Sequence, residues 1–187
     1  MVIKRDLYLN KLISKKQNGS IKVITGLRRC GKSYLLFNLF KDHLLQEGTD
    51  PSHIIEIQFD DFAFKKYRKA DEAYSFVKNQ IKDSAQYYIL LDKVQLLEEF
   101  EDVLNGFLHI PNADVFVTGS NAKFLSKDII TEFRGRGDEI RLLPLSVGEI
   151  CEETDSNFEK VWAEYCMYGG LPIIQSNPTK LDRKSVV

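Results

Sequence analysis

The chain has 187 residues, of which 43% are hydrophobic and 28% charged, proportions typical of a folded globular protein and not of a disordered one. Its 26 basic and 27 acidic residues give a formal net charge of -1, which excludes the overall basic surface of many nucleic-acid binders. No run of about 18 apolar residues occurs, so we expect no membrane span and a cytoplasmic location. The length of the chain predicts one main domain.

Short β-rich runs alternate with segments of helical periodicity, a pattern typical of a parallel sheet covered by helices. The predicted strands are residues 21–25, 54–59, 87–91, 115–118 and 140–143. Apolar residues at helical spacing predict helices after Lys32, around 73–81, around 97–108 and over 158–166. The fold class is therefore predicted to be α/β, with three layers and a sheet of about five strands.

Local signals predict where several helices begin or end. Gly48 lies where the first helix would stop, because glycine readily adopts the left-handed conformation that closes a helix. Ser146 and Glu149 have the spacing of a capping box, in which the two side chains satisfy free amides at a helix start. The sequence Tyr-Gly-Gly-Leu-Pro at 168–172 would end the last helix.

A glycine-rich loop follows the first predicted strand and leads directly into the first predicted helix. Glycines let the backbone turn tightly and point its amides towards phosphate oxygens at the positive end of the helix. Lys32 would reach the β- and γ-phosphates, Ser33 would ligate Mg²⁺, and Tyr34 would complete the binding stretch. The loop matches the pattern G-x-x-x-x-G-K-[ST] with Gly26, Leu27, Arg28, Arg29, Cys30, Gly31, Lys32 and Ser33. It predicts binding of a nucleoside triphosphate with Mg²⁺.

ATP is preferred over GTP as the ligand, because the chain has no Asn-Lys-x-Asp sequence of the kind that GTPases use for guanine. Three cysteines, Cys30, Cys151 and Cys166, show no metal-ligand spacing, which predicts reduced thiols. Backbone amides of the loop would lower the pKa of Cys30, so a redox-sensing thiol is the alternative.

Magnesium binding also needs a carboxylate at the tip of a buried strand, because this hard cation prefers oxygen ligands and keeps several waters. Asp92 directly follows the third predicted strand and is the preferred candidate. A turn aspartate without a metal role is the structural alternative for this residue. Asp60 and Asp61 end the second predicted strand, and they are the competing candidates if that strand lies beside the phosphate-loop strand.

Several stretches of the sequence resemble one known family. They are residues 23–33, 90–95, 117–121, 134–136, 143–146 and 168–172, which together span about residues 1 to 175 in family order. The chain is similar to the prokaryotic ATPases of the AAA superfamily that carry a P-loop domain at the N-terminus and a domain of uncharacterised function at the C-terminus. This resemblance implies an ATP hydrolase with ATP and Mg²⁺ as ligands, and a strand order of 5-1-4-3-2.

The resemblance also implies roles for residues further along the chain. Ser120 and Asn121 fall where the superfamily places a polar sensor of the γ-phosphate, although a helix N-cap is an equally good interpretation. Arg136 matches the family's Gly-Arg motif, and Arg134 lies beside it. Either could act as an arginine finger in the site of a neighbouring copy, which implies a homo-oligomer; a solvated arginine is the alternative.

The sequence departs from the family at Lys93, where relatives normally have a glutamate that polarises the attacking water. An ammonium cannot accept a proton from water, so turnover would slow by roughly 10²–10⁴-fold while binding stays intact. Lys93 would instead add a cation near the γ-phosphate. Three functions remain open: an ATPase, an ATP-dependent switch that hydrolyses very slowly, and a small-molecule phosphotransferase.

We place the P-loop domain at residues 1–144 and a helical segment, the start of a lid or linker, at residues 145–187. Relatives continue with a winged-helix region and a nuclease-like domain, which have no counterpart here, so a shortened chain is expected. A basic cluster at residues 65–69 could contact nucleic-acid phosphates, although a solvated helix approach is the simpler explanation.

Overall fold

The computed structural model describes residues 4–119, 135–154 and 156–176, and at its centre is a parallel sheet. Its five strands are β1 (Ile21–Gly26), β2 (Ile54–Gln58), β3 (Tyr87–Asp92), β4 (Ala113–Thr118) and β5 (Gly137–Leu142). Their order across the sheet is β2-β3-β4-β1-β5, which confirms the order that the family resemblance implied. All four pairings are parallel.

Helices cover both faces of this sheet. In chain order they are α1 (Asp6–Ser14), α2 (residues 32–46), α3 (Ala70–Gln80), α4 (Phe100–Phe107), α5 (Val147–Thr154), α6 (Phe158–Tyr168) and α7 (Pro172–Ser176). Helix α2 is α-helical over Lys32–Tyr34, π-helical over Leu35–Phe40 and α-helical again over Lys41–Gln46. Short 3-10 helices are Pro51–His53, Phe62–Arg68 and Val94–Leu96. The predicted three-layer α/β fold is confirmed.

Two separate apolar cores lie on the two faces of the sheet, because successive side chains of a strand point to opposite sides. On one face, Ile21 and Val23 of β1 pack with residues of α3 and α4 such as Phe107. On the other face, Ile24 of β1 packs with residues of α1 and α2 such as Phe40. Strand β1 lies between β4 and β5 and is buried along its whole length, so its carboxyl end is firmly placed.

Helices α5 and α6 have a small core of their own, formed by Leu145, Ile150 and Val161. The predicted capping box is confirmed: the backbone N–H of Glu149 donates to Ser146 Oγ at 3.2 Å, and the backbone N–H of Ser146 donates to Glu149 Oε2 at 2.8 Å. This separate core fits a domain boundary near residue 145, which remains a proposal.

Some elements differ from the sequence prediction. Helix α1 was not predicted, although Tyr8, Leu9, Leu12 and Ile13 recur at helical spacing and pack against one core. Strand β5 begins three residues before the predicted start at residue 140. Its first residues are not apolar, and Asp138 among them accepts a hydrogen bond from Lys15. Helix α7 begins at Pro172, the last residue of the motif that was predicted to end the last helix. The helix that Ser120 or Asn121 would cap lies outside the described residues, as does the end of the predicted segment 145–187.

Gly48 closes α2 as predicted, with φ at 90° and its N–H bonded to the carbonyl of Leu45 at 3.0 Å. No helix among the described residues has both the length and the apolar character needed to cross a membrane.

Candidate phosphate-binding site

The carboxyl ends of β1, β3 and β4 meet at one edge of the sheet, where a cavity of about 710 Å³ lies. Ligands of open α/β sheets bind at this edge, because the loops that follow the strands surround it. The lining residues are Arg28, Arg29, Gly31, Lys32, Ser33, Tyr34, Asp60, Asp92, Lys93, Gln95, Leu96 and Thr118. Most of the predicted loop residues therefore line one cavity together with Asp92.

The backbone of the glycine loop explains why glycines occupy its two ends. Gly26 has φ at 142°, and a Cβ atom there would lie 2.2 Å from the carbonyl oxygen of Leu142. Gly31 has φ at 97° and sits directly before the first residue of α2. Arg29 is also left-handed, with φ at 66°. The loop thus turns within five residues from the end of β1 into the start of α2, whose first N–H groups have no partner within the helix.

Lys32 lies folded into this loop, with only 7% of its surface exposed. Its ammonium donates to the carbonyl oxygens of Gly26 at 2.9 Å and Leu27 at 2.7 Å. Burial lowers the pKa of Lys32 below its ordinary value, and nearby Cys30 and Asp92 oppose that shift. Its oxygen acceptors are neutral carbonyls, so the positive charge remains available to an anion.

Cys30 is fully buried, with its sulfur 3.9 Å from Lys32 Nζ. Burial raises the pKa of this thiol, and Lys32 offsets the rise only in part. Backbone amides of Cys30 and Lys32 do lower this pKa, as expected, but burial outweighs them and the pKa lies above its ordinary value. A protonated, inaccessible thiol does not suit the redox-sensing alternative.

Ser33, Asp92 and Thr118 come together although they belong to three different elements. The Ser33 hydroxyl donates to Asp92 Oδ2 at 2.8 Å, and the Thr118 hydroxyl donates to Asp92 Oδ1. Asp92 is only 3% exposed, so its carboxylate has lost most of its contact with water. The preferred carboxylate of the sequence prediction thus lies directly beside the serine proposed to ligate the metal.

The donors at this point suit Mg²⁺ in kind but not in number. Ser33 and Asp92 offer hard oxygens, whereas no group of three or more His, Cys, Asp or Glu that could hold a metal exists in the described part of the chain. Mg²⁺ usually keeps several waters and takes one or two carboxylates plus substrate phosphates. The residues therefore fit a metal that arrives with a polyphosphate.

Lys93 stands at the rim of the cavity, where its ammonium forms an ion pair with Asp60 Oδ2. Its backbone has φ at 55°, and its N–H donates to Thr118 Oγ1 at 3.1 Å. Asp60 belongs to the end of β2, which is separated from β1 by β3 and β4. The competing idea that β2 lies beside β1, with Asp60 or Asp61 as the metal carboxylate, is therefore wrong in its topology.

Arg5 is a residue of this region that the sequence analysis missed. It is 4% exposed, and its guanidinium contacts the carbonyl oxygens of Cys30 at 3.5 Å and Leu143 at 2.7 Å. Its Nε lies 2.9 Å from Glu149 Oε1 of α5. Arg5 therefore joins the back of the glycine loop to the C-terminal helices; one arginine in an unpredicted helix region offers no sequence signal for this.

The remaining predicted residues are placed unevenly. Arg136 is exposed next to the amino end of β5, where its carbonyl accepts the N–H of Ile21 at 2.8 Å. A six-residue strand at about 3.3 Å per residue puts it roughly 20 Å from the phosphate loop of its own chain. Asn121, together with Ser120 and Arg134, lies outside the described residues.

The motif at residues 168–172 returns towards the glycine loop. The backbone N–H of Leu145 donates to the carbonyl of Gly170 at 2.7 Å, and a Cβ atom at Gly170 would lie 2.1 Å from the carbonyl oxygen of Leu145. A Cβ atom at Gly31 would lie 3.8 Å from Pro172 Cγ. Motifs that are distant in sequence are thus close together around the loop.

The sequence profile of a family described as "AAA domain" matches residues 18–151. The chain belongs to this AAA domain family. It is also 34% identical over 179 residues to an uncharacterised protein of Haemophilus influenzae, covering 92% of this chain and 44% of that protein. An uncharacterised protein of Methanocaldococcus jannaschii is 30% identical over 189 residues, and the match covers 92% of this chain and 39% of that protein. This AAA domain thus spans less than half the length of these two relatives.

Solved structures of low sequence identity share the AAA fold. The ORC1 protein of Aeropyrum pernix, solved in complex with DNA, has a TM-score of 0.54 at 13% identity, covering 88% of this chain and 50% of that chain. PCH-2 of C. elegans has a TM-score of 0.53 at 15% identity, and the match covers 84% of this chain and 44% of that chain. A Thermotoga maritima protein related to the DNA polymerase III gamma subunit has a TM-score of 0.52 at 12% identity. This match covers 89% of this chain and 58% of that chain.

Proposed function

We propose that this AAA domain binds Mg-ATP in the cavity between the glycine loop and Asp92, and that Lys93 makes its hydrolysis slow. The observation that carries the proposal is the convergence of Lys32, Ser33 and Asp92 at the carboxyl edge of the sheet. Helix α2 supplies a buried cation and a hydroxyl, and β3, which lies far along the chain from α2, supplies a carboxylate at the same cavity. This is the set of groups that a polyphosphate with its metal requires.

Each group has a defined task in the proposed complex. The Lys32 ammonium would exchange the carbonyls of Gly26 and Leu27 for phosphate oxygens, which are stronger acceptors because they are charged. Ser33 would keep donating its proton to Asp92 and offer its oxygen lone pair to the metal. When bound, Mg²⁺ would neutralise charge on the phosphate oxygens. Arg28 and Arg29, both exposed on the loop, would add positive charge.

Slow hydrolysis follows from the chemistry of position 93. A general base must accept a proton from the attacking water, and the Lys93 ammonium has no lone pair for this. The Lys93 ammonium forms an ion pair with Asp60 at the rim of the cavity. Binding of ATP with slow turnover favours the switch among the open functions. No observation favours the phosphotransferase.

The test compares nucleotide affinity and phosphate release in the wild type and in Lys93→Glu. We expect both proteins to bind Mg-ATP, and the variant to release phosphate up to roughly 10²-fold faster, because a carboxylate can polarise water. Since a glutamate would face Asp60, the double variant Lys93→Glu/Asp60→Asn controls for repulsion between the two carboxylates. Equal rates in all three proteins would contradict the role assigned to position 93.

We further propose that Arg136 acts only in trans. Its distance from its own loop means that it could serve as an arginine finger solely in a homo-oligomer, with the loop of one copy facing Arg136 of the next. Analytical ultracentrifugation with and without Mg-ATP tests this, and a strictly monomeric protein under both conditions would rule it out.

A further inference from the structure

The ion pair between Lys93 and Asp60 lies in the same cavity as the phosphate-binding groups. Both residues line the cavity together with Lys32, Ser33 and Asp92. Their side chains are partly exposed, at 38% for Lys93 and 43% for Asp60. The pair therefore stands at the open rim, where an incoming ligand can reach it.

The backbone of Lys93 is held by a hydrogen bond, whereas its side chain is partly exposed at the rim of the cavity. Its N–H is bonded to the Thr118 hydroxyl, which in turn is bonded to the buried Asp92. The neighbouring strands are also joined, since the N–H of Phe59 donates to the carbonyl of Asp92 at 3.2 Å. A lysine carries its charge on a flexible four-carbon stem, so the ammonium can change partners without a backbone movement.

The charges of the cavity favour such an exchange. Among the described residues, its lining includes the cations Arg28, Arg29, Lys32 and Lys93 and the two carboxylates of Asp60 and Asp92. Asp92 is occupied by two hydroxyl donors, whereas Asp60 is held by Lys93. An exposed ion pair contributes little to stability, which makes Asp60 a weak competitor against a terminal phosphate.

We propose that Lys93 exchanges the Asp60 carboxylate for the terminal phosphate of a bound nucleoside triphosphate, and that this exchange makes the site selective for triphosphate over diphosphate. The inference rests on the proposed function, since it assumes nucleotide in this cavity. A diphosphate lacks the terminal phosphate that would attract the ammonium, so Lys93 stays paired with Asp60. Lys93, at the position where the family resemblance implies a glutamate, would thereby sense the γ-phosphate.

The experiment measures the dissociation constants of ADP and of a non-hydrolysable ATP analogue, both with Mg²⁺, by isothermal titration calorimetry. In Lys93→Gln we expect affinity for the analogue to fall about tenfold or more, since a charge-assisted hydrogen bond is lost, while affinity for ADP stays within about twofold. In Asp60→Asn we expect affinity for the analogue to rise up to about fivefold, because the competitor is removed.

Matched controls are Lys65→Gln and Asp71→Asn, which make the same chemical changes at exposed residues that do not line the cavity. Neither control should alter the ratio of the two dissociation constants. Circular dichroism and thermal unfolding establish that each variant is folded.

The outcomes separate this inference from the function on which it rests. If the wild type binds both nucleotides but Lys93→Gln leaves their affinity ratio unchanged, sensing by Lys93 is overturned and nucleotide binding stands. The same conclusion follows if Lys93→Gln weakens ADP and the analogue equally. If the wild type binds neither nucleotide, the proposed function and this inference both fail.

Discussion

Two buried lysines, Lys22 in β1 and Lys32 at the start of α2, are held in opposite ways. Lys22 is fully buried and forms an ion pair with Asp114, close to the amino end of the sheet. Lys32 lies at the carboxyl end, and its ammonium is held by neutral carbonyl groups. Burial lowers the pKa of both lysines, but only Lys22 has a hydrogen-bonded carboxylate that opposes the shift.

The difference distinguishes a structural cation from one that is prepared for a ligand. A buried ammonium beside a carboxylate is neutralised within the fold, so removing one partner leaves an uncompensated charge. A buried ammonium held by carbonyl dipoles keeps its net charge, which an anion can then satisfy. The comparison predicts that Lys22 matters for stability and Lys32 for binding.

The largest effect is expected for Lys22→Met. This change leaves the Asp114 carboxylate buried without its ammonium, which should lower the free energy of unfolding by about 3–5 kcal/mol. Urea denaturation followed by circular dichroism measures this loss. The double variant Lys22→Met/Asp114→Asn removes both charges and should recover most of it. A loss below about 1 kcal/mol in the single variant would break the comparison.

The next effect is expected for Lys32→Ala. Affinity for Mg-ATP should fall by about 100-fold or more, because charge-assisted bonds to phosphate are lost. Stability should be unchanged or improved, since no carboxylate is left unpaired. Calorimetric titration and urea denaturation on the same sample give both values. If Lys32→Ala binds Mg-ATP as tightly as the wild type, the site assignment is wrong.

The smallest effect is expected for Asp138→Asn, at the exposed side of the Lys22 region. Asp138 accepts hydrogen bonds from Lys15 and Asn18, both at 2.6 Å, and the bond from Lys15 is the main reason that its pKa lies below the ordinary value of 3.8. A partly exposed pair contributes less than about 1 kcal/mol, so the variant should lose no more than this near neutral pH.

The pH dependence of this small effect has a definite sign. A carboxylate whose pKa is lower in the folded state stabilises the protein above the unfolded value of 3.8, and this stabilisation is lost as the pH falls through the folded value. The difference between wild type and Asp138→Asn should therefore shrink as the pH falls below 3.8 and vanish at a pH below the folded value. A difference that persists there would show that Asp138 acts by packing and not by charge.

Much of the fold could be predicted because its signals are local. Strands β1 to β4 are recognisable as apolar runs. The capping box at Ser146 and the glycine at the end of α2, Gly48, are signals that depend only on residues close to them in sequence. The spacing of Tyr8, Leu9, Leu12 and Ile13 carries a signal for helix α1 that the sequence analysis did not use. The start of β5 was missed because its first residues, among them Asp138 and Glu139, are not apolar.

The candidate site was predictable in its loop and not in its partners. The glycine spacing identifies residues 26–33 because the backbone itself carries the function. The hydroxyl of Thr118 and the carboxylate of Asp92 are 26 positions apart, and Lys93 and Asp60 are 33 positions apart. No local pattern connects such pairs, although a threonine at the carboxyl end of β4 is a place where a polar site residue could have been sought.

The sequence by itself determined the phosphate loop, the α/β class and the presence of a lysine directly after Asp92. These follow from short-range spacing and from residue chemistry, which folding does not alter. Only the tertiary structure decided that Asp92 meets Ser33, that Lys93 is paired with Asp60, and that Arg136 faces away from its own loop. Those facts depend on strand order and parallel register, which bring together or separate residues irrespective of their distance along the chain.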